Sequence, residues 1–217
     1  MINGPFSVSK AFSEGWKLTK KHWLIMIGLM LGLTIVTLII TLFQGTDHTS
    51  IRYYIFNLIT LVIGVIFNAG YYKMYLVAAD GEEPEFNLFG KCLKRAFPLF
   101  IQQFIYGMGV FIGICLLIVP GIWFAVRFGF GALSLLDDEE CGIIESFRRS
   151  FKLTSGYALP LTGMVFLSFL IIIAGLILFV IGVFPATVWI TFAFVAAFRM
   201  LQNKQQDEVV VIEENAI

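Results

Sequence analysis

Six long apolar runs dominate this chain of 217 residues. They cover residues 23–43, 54–77, 97–119, 122–136, 159–181 and 185–201. A bilayer core about 30 Å thick is crossed by about 20 apolar residues in a helix. The chain is 59% hydrophobic and 14% charged, whereas soluble domains are roughly 45–50% apolar and about 25% charged. The sequence therefore predicts an all-α polytopic membrane protein with six transmembrane helices.

The basic residues indicate how such a bundle would lie in the membrane. Lys and Arg favour the cytoplasmic side of membrane loops, whereas Asp and Glu contribute little to orientation. With six spans, thirteen of the fifteen Lys and Arg residues fall on the side of both termini, leaving Arg52 on the other side and Arg127 inside the fourth run. This distribution predicts that both termini are cytoplasmic.

The apolar runs end at residue 201, and the residues after them are polar. Residues 202–217 combine acidic and amide side chains around a short apolar stretch at 209–212. A segment of this polarity buries too little apolar surface to offset the entropy lost on ordering. We therefore expect a single transmembrane domain over residues 1–201 and a disordered polar cytoplasmic tail over 202–217.

A short phrase recurs before three of the runs: Phe, three residues, a bulky apolar residue and Lys. Its copies begin at Phe12, Phe89 and Phe147 and read FSEGWK, FGKCLK and FRRSFK. A motif this loose carries a high risk of chance matches. Because each copy precedes a pair of runs, its placement favours one module used three times, over residues 6–77, 86–136 and 143–201. The alternative, that polytopic proteins commonly have basic loops flanked by apolar residues, stays open.

Helical spacing makes the segments around the three copies amphipathic. In segments 6–20, 88–96 and 143–154, the apolar residues share one helical face and the charged residues share the other. Helices of this kind lie in the membrane interface with their cations near lipid phosphates. The predicted fold is three transmembrane hairpins, each preceded by an amphipathic interfacial helix. The cations expected to contact lipid headgroups are Lys17, Lys20, Lys21, Lys94, Arg95, Arg148, Arg149 and Lys152.

The fourth run and the segment after it carry a longer phrase. Ile118-Val-Pro120-Gly121 is followed by Arg127, by the acidic loop at 137–139 and by the Ser-containing amphipathic segment 145–154. This order resembles a group of uncharacterised prokaryotic multi-span proteins, which is similar to the membrane domain attached to some glycerophosphodiester phosphodiesterases. The resemblance covers most of residues 6–200. It implies a protein of the bacterial cytoplasmic membrane and no transferable active site.

Arg127 is the charge farthest from the ends of an apolar run, since Lys73 and Arg199 lie within four residues of the ends of theirs. Ionisable residues within a membrane are costly and are functional candidates by default. Its predicted partners in a polar intramembrane cavity are Asn68, Gln102 and Gln103. The alternative is structural, because a long arginine side chain can reach the headgroups from this depth.

Two further features have structural explanations as well as functional ones. The acidic run 137–140 could attract a divalent cation, or it could favour the start of the following helix. The pairs Gly28/Gly32 and Gly109/Gly113 match the small-residue motif of close helix contact. We expect them to pack within the chain, with a homo-oligomer or another membrane protein as the second option.

No nucleophile–base pair, phosphate-binding loop or metal-ligand spacing occurs in the sequence, so we expect no enzyme activity and no cofactor. A net charge of zero argues against nucleic-acid binding. The first hypothesis is a non-enzymatic membrane protein that contacts anionic lipids or organises a membrane assembly. The second is a transporter of small solutes or lipids that uses Arg127.

Overall fold

A computed structural model describes residues 6–45, 48–177 and 182–214, with side chains described as far as Asp207. These residues form helices and no strand. The helices are α1 (Val8–Gln44), α2 (Ile51–Ala79), α3 (Asn87–Leu116), α4 (Ile118–Phe128), α5 (Gly131–Asp137), α6 (Ile143–Leu153), α7 (Ala158–Ile177) and α8 (Val183–Glu214). Six segments are long and apolar enough to cross a membrane, with α4 and α5 together forming the fourth. The prediction of an all-helical, multi-pass membrane protein is therefore confirmed.

The first two amphipathic segments are not separate helices. Residues 8–20 are the start of the 37-residue α1, and residues 88–96 are the start of the 30-residue α3. Both helices continue without a break into the apolar runs that follow, and Pro98 lies inside α3. Of the three segments, only 143–154 forms a helix of its own, α6.

The fourth span is broken, although the sequence predicts one continuous helix over 122–136. Gly129 and Phe130 separate α4 from α5, and the departure from helical geometry is at Phe130, with φ −86° and ψ 2°. Gly129 and Gly131 flank the break, and glycine costs about 1 kcal/mol more than alanine inside a helix. Gly131 also packs closely against the Gln102 side chain, because a Cβ there would lie 2.5 Å from Nε2 of Gln102.

Glycines bring several helices into close contact. A Cβ on Gly113 of α3 would lie 2.8 Å from the Cα of Gly121 on α4, so the second glycine pair does pack within the chain. A Cβ on Gly15 of α1 would lie 2.6 Å from the backbone N of Ala193 on α8. The first and last helices, α1 and α8, are thus in direct backbone contact. The first glycine pair differs, because a Cβ on Gly28 or Gly32 would meet no described atom within 4 Å.

The buried core lies at one end of the long helices. The buried residues of α1 all precede residue 27, those of α2 all follow residue 68, and those of α3 all precede residue 103. We call this the charged end, because Asp80, Arg95, Asp137 and Arg199 meet there. The opposite end, with the turns near Ser50 and Leu117, is called the turn end.

Residues 202–214 continue α8, where the sequence predicts a disordered tail. The stretch contains no glycine or proline and has three Gln and three Glu residues, which are good helix formers. A helix that is already nucleated by the packed part of α8 can therefore extend through them. Residues 215–217, and the predicted end of the fifth span at 178–181, lie outside the described residues.

Candidate lipid-headgroup site

The cations at the charged end fall into two groups, and the first group joins the helices to one another. Arg199 on α8 bonds Asp137 of α5 at 2.7 Å and also bonds Asp80 at the end of α2. Gln202 donates a hydrogen bond to Asp137 at 2.9 Å. The Arg199 side chain is 13% exposed and that of Asp137 is 19% exposed. This network therefore joins α2, α5 and α8. Its charged groups bond one another and are not available to a ligand.

Two of the eight predicted headgroup cations belong to the same structural group. Arg95 donates to the backbone oxygens of Cys141 and Asp138, at 2.8 and 2.9 Å. Arg149 pairs with the carboxylate of Asp138 at 2.8 Å. The loop between α5 and α6 is thus fixed from both sides. Arg95 and Arg149 were predicted to contact lipid headgroups, and their bonds to this loop give them a structural role instead.

The two aspartates of the acidic run 137–140 are paired within the protein. Asp138 accepts a hydrogen bond from the Glu140 backbone N–H at 2.9 Å. That bond, together with the Arg149 guanidinium, holds the pKa of the Asp138 carboxyl below its usual value. No group of three His, Cys, Asp or Glu side chains in the described part of the chain could hold a metal ion. The two described aspartates of this run serve as partners of arginine.

In all three copies of the recurring phrase, the same positions pack against the bundle and the same positions are exposed. Its first residue packs inward: the ring of Phe12 lies 5.9 Å from that of Trp189, Phe89 lies 5.6 Å from Phe67, and Phe147 lies 5.7 Å from Phe128. Its fourth residue is small and buried in every copy; these residues are Gly15, Cys92 and Ser150. The phrase is therefore fixed to the bundle at two positions one turn apart.

The last two residues of the phrase face outward in each copy. The bulky residues Trp16, Leu93 and Phe151 are 43%, 55% and 39% exposed. The lysines that follow them, Lys17, Lys94 and Lys152, are all exposed. Lys17 pairs with Glu14 at 2.8 Å, whereas Lys94 and Lys152 have no hydrogen bond or ion pair to any described residue. Each copy thus presents an exposed apolar group beside an exposed cation.

The remaining predicted cations lie near these positions. Lys20 lies over the ring of Trp16 at 5.4 Å, Lys21 pairs with Glu83 at 2.9 Å, and Arg148 pairs with Glu145 at 3.0 Å. The hydrogen bond from Lys21 lowers the pKa of the Glu83 carboxyl. Exposed ion pairs of this kind contribute about 0–1 kcal/mol, so they leave the cations available to lipid phosphates.

The predicted cluster of Arg127 with three amides is divided among three places. Nε2 of Gln103 donates to Asn68 at 3.2 Å, and this pair lines an apolar groove of about 430 Å³ between α1, α2 and α3. Gln102 is buried against Gly131. Arg127 lies against aromatic rings of α4 and α6, and no described contact joins it to an amide.

Sequence reasoning missed the role of Ser150. Its hydroxyl donates to the Arg127 carbonyl oxygen at 2.8 Å and accepts from the Phe130 N–H at 3.1 Å. The break between α4 and α5 deprives both backbone groups of a helical partner, and buried backbone groups need one. The signal was present in the sequence: a small residue recurs at the fourth position of every copy.

Comparison with known protein families, with curated proteins and with solved structures finds no match for this chain.

Proposed function

We propose that the protein is a non-enzymatic integral membrane protein whose three Lys17-, Lys94- and Lys152-centred sites bind anionic lipid headgroups and so position the bundle in the membrane. The observation that carries this proposal is the shared orientation of the three copies. In each, a Phe that packs against a ring of the bundle and a buried small residue fix the backbone, while a bulky apolar residue and a lysine are exposed.

The pairing of an exposed apolar group with an exposed cation suits the membrane interface. An apolar side chain gains about 25 cal/mol for each Å² removed from water, and each Lys or Arg near an anionic surface adds about 1 kcal/mol. A bulky residue in the acyl region and a lysine among the phosphates would satisfy both at once. Three such sites would act together on one membrane leaflet.

The same proposal includes an orientation in the bacterial cytoplasmic membrane, with both termini and the charged end on the cytoplasmic side. Anionic lipids attract basic segments most strongly there. In a cysteine-free background, a cysteine at Ser50 should react with a membrane-impermeant maleimide in intact cells, whereas one at Glu82 should react only after lysis. The reverse labelling pattern would contradict this orientation.

Lipid binding is tested by neutralising the three lysines together. The variant K17Q/K94Q/K152Q, reconstituted in nanodiscs, should lose most of the stabilisation that phosphatidylglycerol gives over phosphatidylcholine, as measured by melting temperature. The charge-preserving control K17R/K94R/K152R should behave as the wild-type protein does. If the glutamine variant kept the full response to phosphatidylglycerol, the three lysines would not be the lipid sites.

A further inference from the structure

Arg127 presents unused hydrogen-bonding capacity at the junction of α4 and α6. Its guanidinium carbon lies 4.7 Å from the ring centre of Phe151 and 5.8 Å from that of Trp123. The Nε and Nη1 atoms are enclosed, yet neither has a hydrogen-bond partner among the described residues. A guanidinium carries five N–H donors and stays charged in proteins. Within the described part of the chain, the site therefore holds a cation without an anion.

Three carboxylates near Arg127 in sequence are already paired with other cations, and no ion pair joins Arg127 to any described carboxylate. Asp137 bonds Arg199 at 2.7 Å, while Asp138 and Glu145 both bond Arg149. Cation–π contacts contribute about 0.5–2 kcal/mol, whereas an unsatisfied donor on a charged, buried group costs more than about 1–3 kcal/mol. The aromatic contacts thus do not replace a missing acceptor.

We infer that Arg127, Trp123 and Phe151 form a binding site for one phosphoryl group. The planar guanidinium matches phosphate oxygens in geometry and charge. The two rings that flank it are 49% and 39% exposed, so an acyl chain could lie against them while the phosphate reaches the guanidinium. This site shares Phe151 with the Lys152 site of the proposed function but uses a different cation, Arg127. Its single guanidinium takes one ligand at fixed stoichiometry.

The phosphoryl group could belong to a lipid or to free phosphate, and soluble ligands separate the two. Lipid-depleted protein in detergent is titrated with dihexanoyl phosphatidylglycerol, with inorganic phosphate and with uncharged dihexanoylglycerol. Stabilisation by the lipid alone assigns the phosphoryl group to a lipid, and stabilisation by inorganic phosphate shows that the free ion suffices. Equal stabilisation by dihexanoylglycerol, or none by any phosphorylated ligand, overturns the inference.

Variants connect the binding to the side chain. R127Q should raise the Kd for the binding phosphorylated ligand by about tenfold to hundredfold, the effect of losing a charge-assisted hydrogen bond. R52Q, which removes an arginine at the turn end, should leave the Kd unchanged. If R127Q does not fold, R127K serves instead, because it keeps the charge without the fork and should bind more weakly. An unchanged Kd in the folded variant contradicts the site.

The result is independent of the lysine sites. K17Q/K94Q/K152Q should retain the stoichiometric phosphoryl site while losing the charge-dependent response to phosphatidylglycerol membranes. If R127Q alone abolished both the stoichiometric phosphoryl site and the response to phosphatidylglycerol membranes, all lipid binding would lie at Arg127 and the proposed function would be overturned. A protein that loses neither in R127Q would overturn the inference alone.

Discussion

The charged end and the turn end of the bundle differ in what surrounds their side chains. At the charged end, Ala11, Gly15, Tyr75 and Phe192 are fully or almost fully buried by other helices. At the turn end, large apolar residues such as Leu42, Ile51 and Leu116 are exposed by 72% or more. Other helices surround the apolar side chains at the charged end, and we expect lipid to surround those at the turn end.

This difference shows where the residue at a position is constrained by packing contacts and where it is constrained only to be apolar. Apolar side chains gain little by exchanging lipid for protein, so membrane helices associate through close packing and polar contacts. The charged end contains both kinds of contact: the glycine contact between α1 and α8, and the Arg199 network. Substitutions should therefore have large effects there and small effects at the turn end.

The largest effect is expected at Gly15. In G15V, the new side chain would collide with the backbone of Ala193, because even a Cβ would lie 2.6 Å from its nitrogen. Overpacking of this kind costs about 3 kcal/mol or more when backbone must move. G28V, on the same helix but in open space, should change stability by about 0.5 kcal/mol at most. The free energy of unfolding in mixed micelles measures both, and equal losses would contradict the contrast.

The next effect should follow removal of Arg199. R199Q leaves Asp137 partly buried without its cation, and breaking a buried pair costs about 3 kcal/mol or more. Because solvent reaches Asp80 at this site, we expect about 2 kcal/mol. Arg52 at the turn end donates to the exposed backbone oxygen of Phe43, and the matched variant R52Q should lose about 0.5 kcal/mol. A similar loss in both variants would show that the Arg199 network is not what holds the charged end together.

A smaller effect is expected when the helix break loses its hydroxyl. S150A leaves the Phe130 N–H and the Arg127 carbonyl without their bonds to Ser150, and a buried unsatisfied group costs about 1–3 kcal/mol. We expect a loss of about 1.5 kcal/mol, and a free energy of unfolding within error of the wild type would contradict this role. T37A is the control, because Thr37 bonds only carbonyls of its own helix, Leu33 and Thr34, and should be near neutral.

How far the sequence predicts the fold depends on which end is considered. Apolar runs predict helices that lipid can solvate, and all six are present as candidate spans. The break at Gly129 and Phe130 was not predictable from periodicity, because it is stabilised by Ser150 from a later helix. The continuity of α1 was also missed: its amphipathic start resembles an interfacial helix, yet Ala11, Phe12 and Gly15 are buried.

For the candidate site, the sequence located the three phrases but not their orientation. Charge alone could not separate Arg95 and Arg149, which bond the loop before α6, from Lys94 and Lys152, which are exposed. That distinction depends on contacts between separate elements, such as Arg95 with Cys141, 46 positions away, and Arg149 with Asp138, 11 positions away. Likewise, the sequence predicted that Arg127, Gln102 and Gln103 would share one cavity. In the structure the three side chains lie on different helix faces and contact different neighbours.

The smallest effect is a dependence on pH that should be confined to the charged end. The pKa of Asp138 is lowered in the folded protein by the Glu140 N–H and by Arg149. Its stabilising contribution is therefore complete above the usual aspartate pKa and is lost as the pH falls through the lowered value. D138N should remove this part of the acid response, flattening the melting-temperature profile by about 2 °C between pH 5 and pH 3. An unchanged profile in D138N would mean that the loop before α6 is fixed by the Arg95 bonds to backbone oxygens, which do not titrate.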